Sequence, residues 1–178
     1  MKRIILVCGL IGGLISCLWW AFGEPMVSDN VTFNTRMIFG YVSILLGFSL
    51  IFVGVKSYRD NYSAGIISFG KAIKIALLIT LVASTFYTLA WMINYYFFIP
   101  DFGAKLMASM RSQLIAEGAS KAEIQKEMTA IAEYMEQYKN PLFNAMMTYM
   151  EILPVGIIVS IIASLILKKN PKSISDNQ

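Results

Sequence analysis

Few side chains in this sequence could do chemistry, and two of them lie in long apolar segments. Glu151 stands 17 residues before Lys168. Asn94 stands 20 residues after Lys74. At about 1.5 Å per helical residue, both would lie roughly 25–30 Å from one membrane surface. A carboxylate held in a membrane is costly to leave unpaired and usually has a function. Glu151 and Asn94 are therefore a candidate intramembrane polar site.

Two interpretations of Glu151 are open at this stage. The carboxylate could face the other helices and pair with Asn94, a tyrosine or a basic residue of the neighbouring polar segment. It could instead lie at the level of the lipid headgroups, in contact with water. Pro154 follows three residues later, and a proline ring removes a backbone hydrogen bond, so we predict a helix kink at Pro154.

The composition argues against most enzyme classes. The sequence has no histidine, which excludes Ser-His-Asp and Cys-His catalysis and HExxH zinc chemistry. Cys8 and Cys17 are nine residues apart in one predicted helix, point to opposite faces and cannot pair within the chain. The sequence contains no phosphate-binding glycine loop and no metal-ligand motif. We expect a non-enzymatic protein without a cofactor.

The elements that hold these residues are four apolar runs. The chain is 57% hydrophobic and only 15% charged, against about 25% charged in a soluble domain. Each run is close to the length of about 20 residues that crosses a bilayer. The sequence predicts one all-α membrane domain over residues 1–178, an integral bundle of four transmembrane helices. The spans are 4–23, 37–55, 72–99 and 142–167, with a helical insert at 100–141 and a tail at 168–178.

The charges predict the orientation of the spans. With the N-terminus in the cytoplasm, the cytoplasmic segments hold nine basic residues against two acids, and the outer segments hold six against nine. This is the positive-inside pattern, and it predicts a multi-pass protein of the bacterial inner membrane with both termini in the cytoplasm. The basic excess then reflects orientation and contact with the lipid bilayer, and we expect no nucleic-acid partner.

The first span contains Leu14-Ile15-Ser16-Cys17, which matches the cleavage site of bacterial lipoproteins. One alternative is removal of the segment and lipid attachment at Cys17. The other is a retained helix. The apolar run continues past Cys17, and Trp19 and Trp20 fall where an outer aromatic belt would lie. These features favour retention.

Small residues recur along the last three spans. A seven-residue period keeps them on one helix face, where they allow close packing of helices. The faces could line a cavity or form a dry bundle, and their low polarity favours the dry bundle. The helix-packing residues are Gly40, Gly47, Gly54, Ala76, Ala83, Ala90, Gly156 and Ser160.

The insert between the third and fourth spans predicts an extramembrane helical hairpin. Gly118 ends one helix, and Ser120 and Glu123 form a capping box that starts the next. The second helix carries an apolar stripe that can pack on its sister helix, lie on the outer leaflet or bind a partner. The stripe is a candidate partner face and comprises Ile124, Met128, Ile131 and Met135.

Two long segments carry a family resemblance. They read SFGKAIKIALLITLVASTFYTLAWMINYYF and KNPLFNAMMTYMEILPVGIIVSIIASLILKK, with PDF and a charged insert between them. Together they resemble domain-of-unknown-function family 4199. The resemblance implies a small four-helix inner-membrane protein of a family found mainly in Bacteroidota, with its first helix retained. It implies no activity.

Two functions follow as hypotheses. The first is an accessory protein that acts by association, through the insert or the small-residue faces, with a second copy or a membrane or periplasmic protein. The alternative is a small solute or ion transporter or channel subunit with a polar site near Glu151 and Asn94. A water-filled cavity at that site would favour transport, and a dry core with an exposed stripe would favour association.

Overall fold

A computed structural model describes residues 1–23 and 33–169, and this part of the chain is helical almost throughout. The predicted all-α class is confirmed. Residues 24–32 and the residues beyond 169 lie outside the described part. The helices are α1 (Lys2–Leu18), continued by a π-helical turn (Trp19–Gly23), α2 (Phe33–Phe48), α3 (Leu50–Tyr62), α4 (Phe69–Phe97), α5 (Phe102–Ala116), α6 (Lys121–Tyr138) and α7 (Pro141–Leu167).

Four helical segments are long and apolar enough to cross a membrane, as predicted: Lys2–Gly23, Asn34–Tyr62, Phe69–Phe97 and Pro141–Leu167. The second joins α2 and α3 across Ser49, whose hydroxyl donates a hydrogen bond to the Leu46 carbonyl at 2.6 Å. That span runs further than the predicted 37–55. The last three spans have 27 to 29 residues, about 40 Å of helix, so they exceed the roughly 30 Å hydrocarbon core.

The third span, α4, is the centre of the packing. It contacts α1, α3 and α7, and the second span contacts both α1 and α7. Most of the large side chains in the interior are apolar and buried, whereas other large apolar side chains, such as Leu81 and Ile162, are exposed on the outside. An outward apolar surface is what a bilayer covers. The largest buried apolar side chains are Phe48, Ile51, Ile67, Ile75, Ile79, Ile152 and Val55.

Glycines bring α1 and α2 into backbone contact. A Cβ on Gly12 would lie 2.8 Å from the Gly47 carbonyl oxygen, and a Cβ on Gly47 would overlap Ser16 and the Gly12 carbonyl. The Ser43 hydroxyl, one turn away, donates a hydrogen bond to the Ile15 carbonyl at 2.9 Å. Close approach through small residues therefore joins the first two spans.

The predicted helix-packing residues lie mostly inside this fold. Gly40 and Ala90 are half-buried, and Gly40 has only the Trp19 ring near its Cβ position. The others contact neighbouring spans, so their small faces are covered within the chain. The buried members are Gly47, Gly54, Ala76, Ala83, Gly156 and Ser160.

Contacts of the end of α7 with α3 and with the α3–α4 loop close one end of the spans, called here the terminal end. Ile67, in the α3–α4 loop, and Lys169 exchange two backbone hydrogen bonds of 3.1 and 2.9 Å. Arg59 also donates a hydrogen bond to the Leu167 carbonyl at 3.4 Å. The opposite end, where α5 and α6 attach, is called the insert end.

The insert carries the local helix signals that its sequence predicts. Gly118, after the end of α5, has a φ of +78°, which glycine adopts without strain. The Ser120–Glu123 capping box is present, with both reciprocal hydrogen bonds. Asn140 then caps α7 by accepting a hydrogen bond from the Leu142 amide at 2.9 Å. α7 is one continuous helix through Pro154, so the predicted kink does not interrupt it.

Candidate functional site

Glu151 lies on the side of α7 and is exposed. Within residues 1–23 and 33–169, no hydrogen bond or ion pair joins it to another side chain. Among these residues, the structure therefore shows no pairing of Glu151 with Asn94, with a tyrosine or with a basic residue of the insert. Asn94 is half-buried on α4, and its carbonyl accepts hydrogen bonds from the Phe98 and Ile99 amides.

The orientation of Glu151 follows from the ridge that α7 buries. Its buried positions recur every four residues, and Glu151 precedes one of them, Ile152, by a single residue. A step of one residue turns about 100° around a helix, which places Glu151 at the edge of the buried face. The ridge comprises Asn144, Thr148, Ile152, Gly156, Ser160 and Ser164.

The charge of the Glu151 carboxylate acts on tyrosines of three helices. Its negative charge acts on Tyr41 of α2 and Tyr87 of α4. Burial raises the pKa of Tyr134, on α6, and the charge of Glu151 raises it further. Burial also raises the pKa of Tyr138, with a smaller contribution from Glu151. We call these five residues the Glu151 site. Tyr41 and Tyr134 are 42% and 36% exposed, and Tyr87 and Tyr138 are each 8% exposed.

A network of aromatic rings holds α6 over the ends of the spans at this site. The Trp91 indole N–H donates a hydrogen bond to the Tyr138 hydroxyl at 2.9 Å. Tyr96 donates one to the Lys139 carbonyl at 3.0 Å. Neighbouring rings in the network have centroids 5.3 to 6.4 Å apart. The rings are Trp20, Tyr87, Trp91, Tyr95, Phe102, Tyr134, Tyr138 and Phe143.

Behind the Glu151 site, a row of buried polar side chains runs between α4 and α7. Near the terminal end, the Thr80 and Ser160 hydroxyl oxygens are 2.8 Å apart and hydrogen-bonded. Toward the insert end, Ser84, Thr88 and Asn144 are buried, and among the described residues their side chains have no hydrogen-bond partner. Buried polar groups normally have one. None of the members is charged.

Sequence reasoning missed this polar row. The signal was present, because polar residues recur every four positions on both helices, as expected for one face of a helix. On α4 they are Thr80, Ser84 and Thr88. On α7 they are Asn144, Thr148, Ser160 and Ser164.

The apolar stripe of α6 mostly faces its sister helix. Met135 is buried, and Ile124, Met128 and Ile131 are half-buried. The Met135 sulfur lies 3.4 Å from the Cβ position of Gly103 on α5. Toward the connecting loop, α5 and α6 leave a groove of about 650 Å³, called here the insert groove. It is lined by Met107, Ala108, Arg111, Ile115, Lys121, Ile124, Gln125 and Met128.

A second groove, of about 450 Å³, lies on α7 and is almost entirely apolar. Neither groove opens between Glu151 and Asn94. The groove on α7 is lined by Met146, Tyr149, Met150, Leu153, Pro154 and Ile157.

A comparison with known protein families identifies the family of this chain. A family model described as a protein of unknown function (DUF4199) matches residues 8–169. The chain belongs to this family. The match covers all but the first turns of α1 and the tail, and confirms the resemblance seen in the sequence. No curated protein and no solved structure matches the chain.

Within the described ranges, no three acidic or cysteine side chains come together as metal ligands do. Cys8 and Cys17 are both free thiols. The fold leaves the Glu151 carboxylate exposed on the flank of α7 and leaves a groove between α5 and α6.

Proposed function

We propose that this protein is a non-enzymatic multi-pass protein of a bacterial inner membrane that acts by association with a protein partner. In this proposal α5 and α6 form an extramembrane hairpin in the periplasm, and both termini are cytoplasmic. The basic residues gathered at the terminal end support that orientation. The observation that carries the proposal is the insert groove, which has an apolar floor and a basic rim.

The floor of the insert groove is apolar surface that the chain itself does not cover. Ile115 is 58% exposed, and Ile124 and Met128 are only half-buried, whereas Met135 near the base of the pair is buried. Removing apolar surface from water contributes roughly 25 cal/mol per Å². A partner that fills the groove would gain this contribution. Methionines at such a surface adapt to the shape of what binds.

The rim indicates the chemistry of the occupant. Arg111 and Lys121 are the charged residues that line the groove, and both are basic. Neither takes part in the ion pairs that join described residues, whose cations are Arg59, Lys105 and Lys139. An amphipathic helix with acidic residues beside its apolar face complements an apolar floor with a basic rim. We therefore propose an acidic amphipathic segment of a periplasmic or membrane protein as the occupant.

Transport receives less support from the same fold. The row of polar residues between α4 and α7 has no charged member, and Thr80 and Ser160 bond directly to each other. The small-residue faces are used in packing between the spans. They therefore support neither a pore lining nor a partner interface, and the insert groove is the better-supported association surface.

The test is in-cell photocrosslinking from single probe residues in the full chain. Probes at Ile124 and Met128 should give one adduct of defined mass, whereas probes at buried Met135 and at Lys126, outside the groove, should not. Charge reversal at Arg111 or Lys121 (R111E, K121E) should abolish the adduct, and K126E should leave it unchanged.

Three outcomes would contradict the proposal. An adduct that survives both R111E and K121E would mean that the basic rim does not select the partner. Absence of any protein adduct from Ile124 and Met128 would mean that the groove is covered by lipid or by the chain itself. An adduct with the mass of two copies of the chain would replace the acidic partner with a second copy.

A further inference from the structure

We propose that the terminal end binds the headgroup of an anionic phospholipid between α3 and α7. The cations of this site, called here the terminal basic cluster, are Lys56, Arg59, Lys168 and Lys169. The inference concerns the opposite end of the spans from the insert groove and does not depend on the proposed association. It rests on contacts that gather cations of two spans, on the excess of positive charge there and on the apolar surface beside them.

Arg59 joins the cations of α3 to those at the end of α7. Its Nη1 donates a hydrogen bond to the Leu167 carbonyl oxygen at 3.4 Å. Lys168 and Lys169 are the next two residues of the chain, and both are exposed. Lys56, also exposed, precedes Arg59 by three residues, so the two lie on one face of α3. The fold therefore gathers four cations from two spans at one place.

The terminal basic cluster has little acidic charge to balance it. Within residues 1–6, 55–75 and 165–169, Asp60 is the only acid, against eight basic residues. Asp60 already accepts a hydrogen bond from Arg59 Nε at 2.7 Å. The three lysines of the cluster take part in no ion pair that joins described residues. Because like charges in close proximity repel one another, an anion from outside the chain would be stabilised here.

The remaining donors of Arg59 match a phosphate group. A guanidinium has five N–H donors, and the bonds to Asp60 and to the Leu167 carbonyl use two of them. A phosphate can accept two parallel hydrogen bonds from a guanidinium. The lysine ammonium groups add positive charge, which complements an anionic headgroup better than a zwitterionic one.

Exposed apolar surface adjoins the cluster on both helices. Val53, one turn before Lys56, is 54% exposed, and Ile166, two residues before Lys168, is 66% exposed. The spans that carry these residues have 29 and 27 residues and exceed the hydrocarbon core, so their last turns reach the headgroup level. Acyl chains would cover the apolar surface, which a soluble anion would leave bare. The occupant that fits is therefore a phospholipid of the surrounding bilayer.

The experiment is a lipid-binding titration of the full chain in detergent micelles, read by native mass spectrometry. Phosphatidylglycerol and phosphatidylethanolamine with the same acyl chains are the probes, and inorganic phosphate is the competitor. Each basic residue near an anionic headgroup contributes about fivefold to binding. We therefore expect phosphatidylglycerol to bind about tenfold more tightly than phosphatidylethanolamine. Changing Lys168→Gln and Lys169→Gln together should reduce this preference to about twofold or less.

The matched control changes Lys2→Gln and Arg3→Gln together. Both residues are exposed, and their loss removes the same charge from the same end of the spans, but outside the cluster. This double variant should keep the tenfold preference for phosphatidylglycerol. The comparison separates a defined site from the general attraction of a basic surface for anionic lipids.

A second measurement tests whether the headgroup bridges the two spans. Ile67 and Lys169 exchange two backbone hydrogen bonds at this end, and a ligand that binds cations of both α3 and α7 should keep this pairing closed. Amide hydrogen exchange at both residues should be about fivefold slower in phosphatidylcholine nanodiscs that contain phosphatidylglycerol than in nanodiscs of phosphatidylcholine alone. The Gly118 amide, bonded to the Ile115 carbonyl in the insert, should exchange equally in both.

Four results would overturn the inference. Equal binding of the two phospholipids would mean that the cluster does not select an anionic headgroup. An equal loss of preference in the control variant would mean that the basic end attracts the lipid as a whole. Displacement of phosphatidylglycerol by inorganic phosphate at equal concentration would mean that the ligand is a soluble anion. Unchanged exchange at Ile67 and Lys169 would mean that no headgroup bridges α3 and α7.

Discussion

Replacing Gly47 by alanine should separate the first two spans. The added Cβ would overlap the Ser16 hydroxyl and the carbonyl oxygen of Gly12. A side-chain tip could rotate away, but the Gly12 carbonyl belongs to a helix backbone, so α1 as a whole must move. Movement of α1 also stretches the 2.9 Å hydrogen bond from Ser43 to the Ile15 carbonyl.

The expected loss of stability is measured against a matched control, Gly40→Ala, one heptad away on the same helix. At Gly40, the atom nearest to an added Cβ is in the Trp19 ring, at an ordinary 3.5 Å. Both Gly→Ala changes gain the same helix propensity, so this contribution cancels in the difference. Overpacking costs about 1–3 kcal/mol, and the interhelical hydrogen bond contributes about 0.6 kcal/mol. Gly47→Ala should therefore be less stable than Gly40→Ala by about 2–4 kcal/mol.

The assay is reversible unfolding of the full chain in mixed micelles, by titration with a denaturing detergent and far-ultraviolet circular dichroism. The free energy of unfolding of each variant is compared with that of the parent. If Gly47→Ala proves as stable as Gly40→Ala, the contact between α1 and α2 is not the close backbone crossing described here. The inference that Gly12 and Gly47 bring α1 and α2 into backbone contact would then be wrong.

Three other changes should act on the insert. Tyr138→Phe removes the acceptor of the Trp91 N–H hydrogen bond and should lower the free energy of unfolding by about 1–3 kcal/mol. Tyr134→Phe, at a 36% exposed residue, is the control and should change the free energy of unfolding little. Equal effects of the two changes would refute the role of the Trp91 hydrogen bond. Since burial raises the pKa of Tyr138 above its usual 10.0, the native state keeps that proton longer, so stability is retained below pH 10 and lost as the pH rises further. Tyrosinate absorbance during a pH titration should show this ionisation, and Tyr138→Phe should lack it. Ser120→Ala breaks the capping box with Glu123, and the loss of such a cap costs roughly 1 kcal/mol of helix stability. Amide hydrogen exchange in the first turn of α6 should therefore become about fivefold faster. An unchanged exchange rate in that turn would contradict the role of the capping box.

Much of the fold was accessible from the sequence because membrane helices are encoded locally. The four spans follow from apolar length alone, and the capping box at Ser120 follows from two residues three apart. The close packing of Gly47 and Gly156 follows from the spacing of small residues. None of these inferences requires knowledge of which helix lies beside which.

The candidate site was less accessible because it depends on helix rotation. Whether Glu151 or Ile152 faces inward is a matter of about 100° around α7, and the contacts along the whole helix fix that angle. Residue type alone does not tell Asn94, which lies half-buried on α4, from Asn144, which is fully buried. The π-helical turn at Trp19–Gly23 was also unforeseen, since composition does not distinguish it from an α-helical turn.

The pairing of Ile67 with Lys169 sets an order of assembly. These residues are 102 positions apart, and their two hydrogen bonds tie the loop before α4 to the end of α7. A ribosome must therefore synthesise the whole fourth span before the terminal end can close. Until then the first three spans can associate around α4, but the groove between α4 and the second span lacks the helix that fills it. Truncation within α7 should thus leave three inserted spans with an open side, a form that membrane proteases would be expected to degrade.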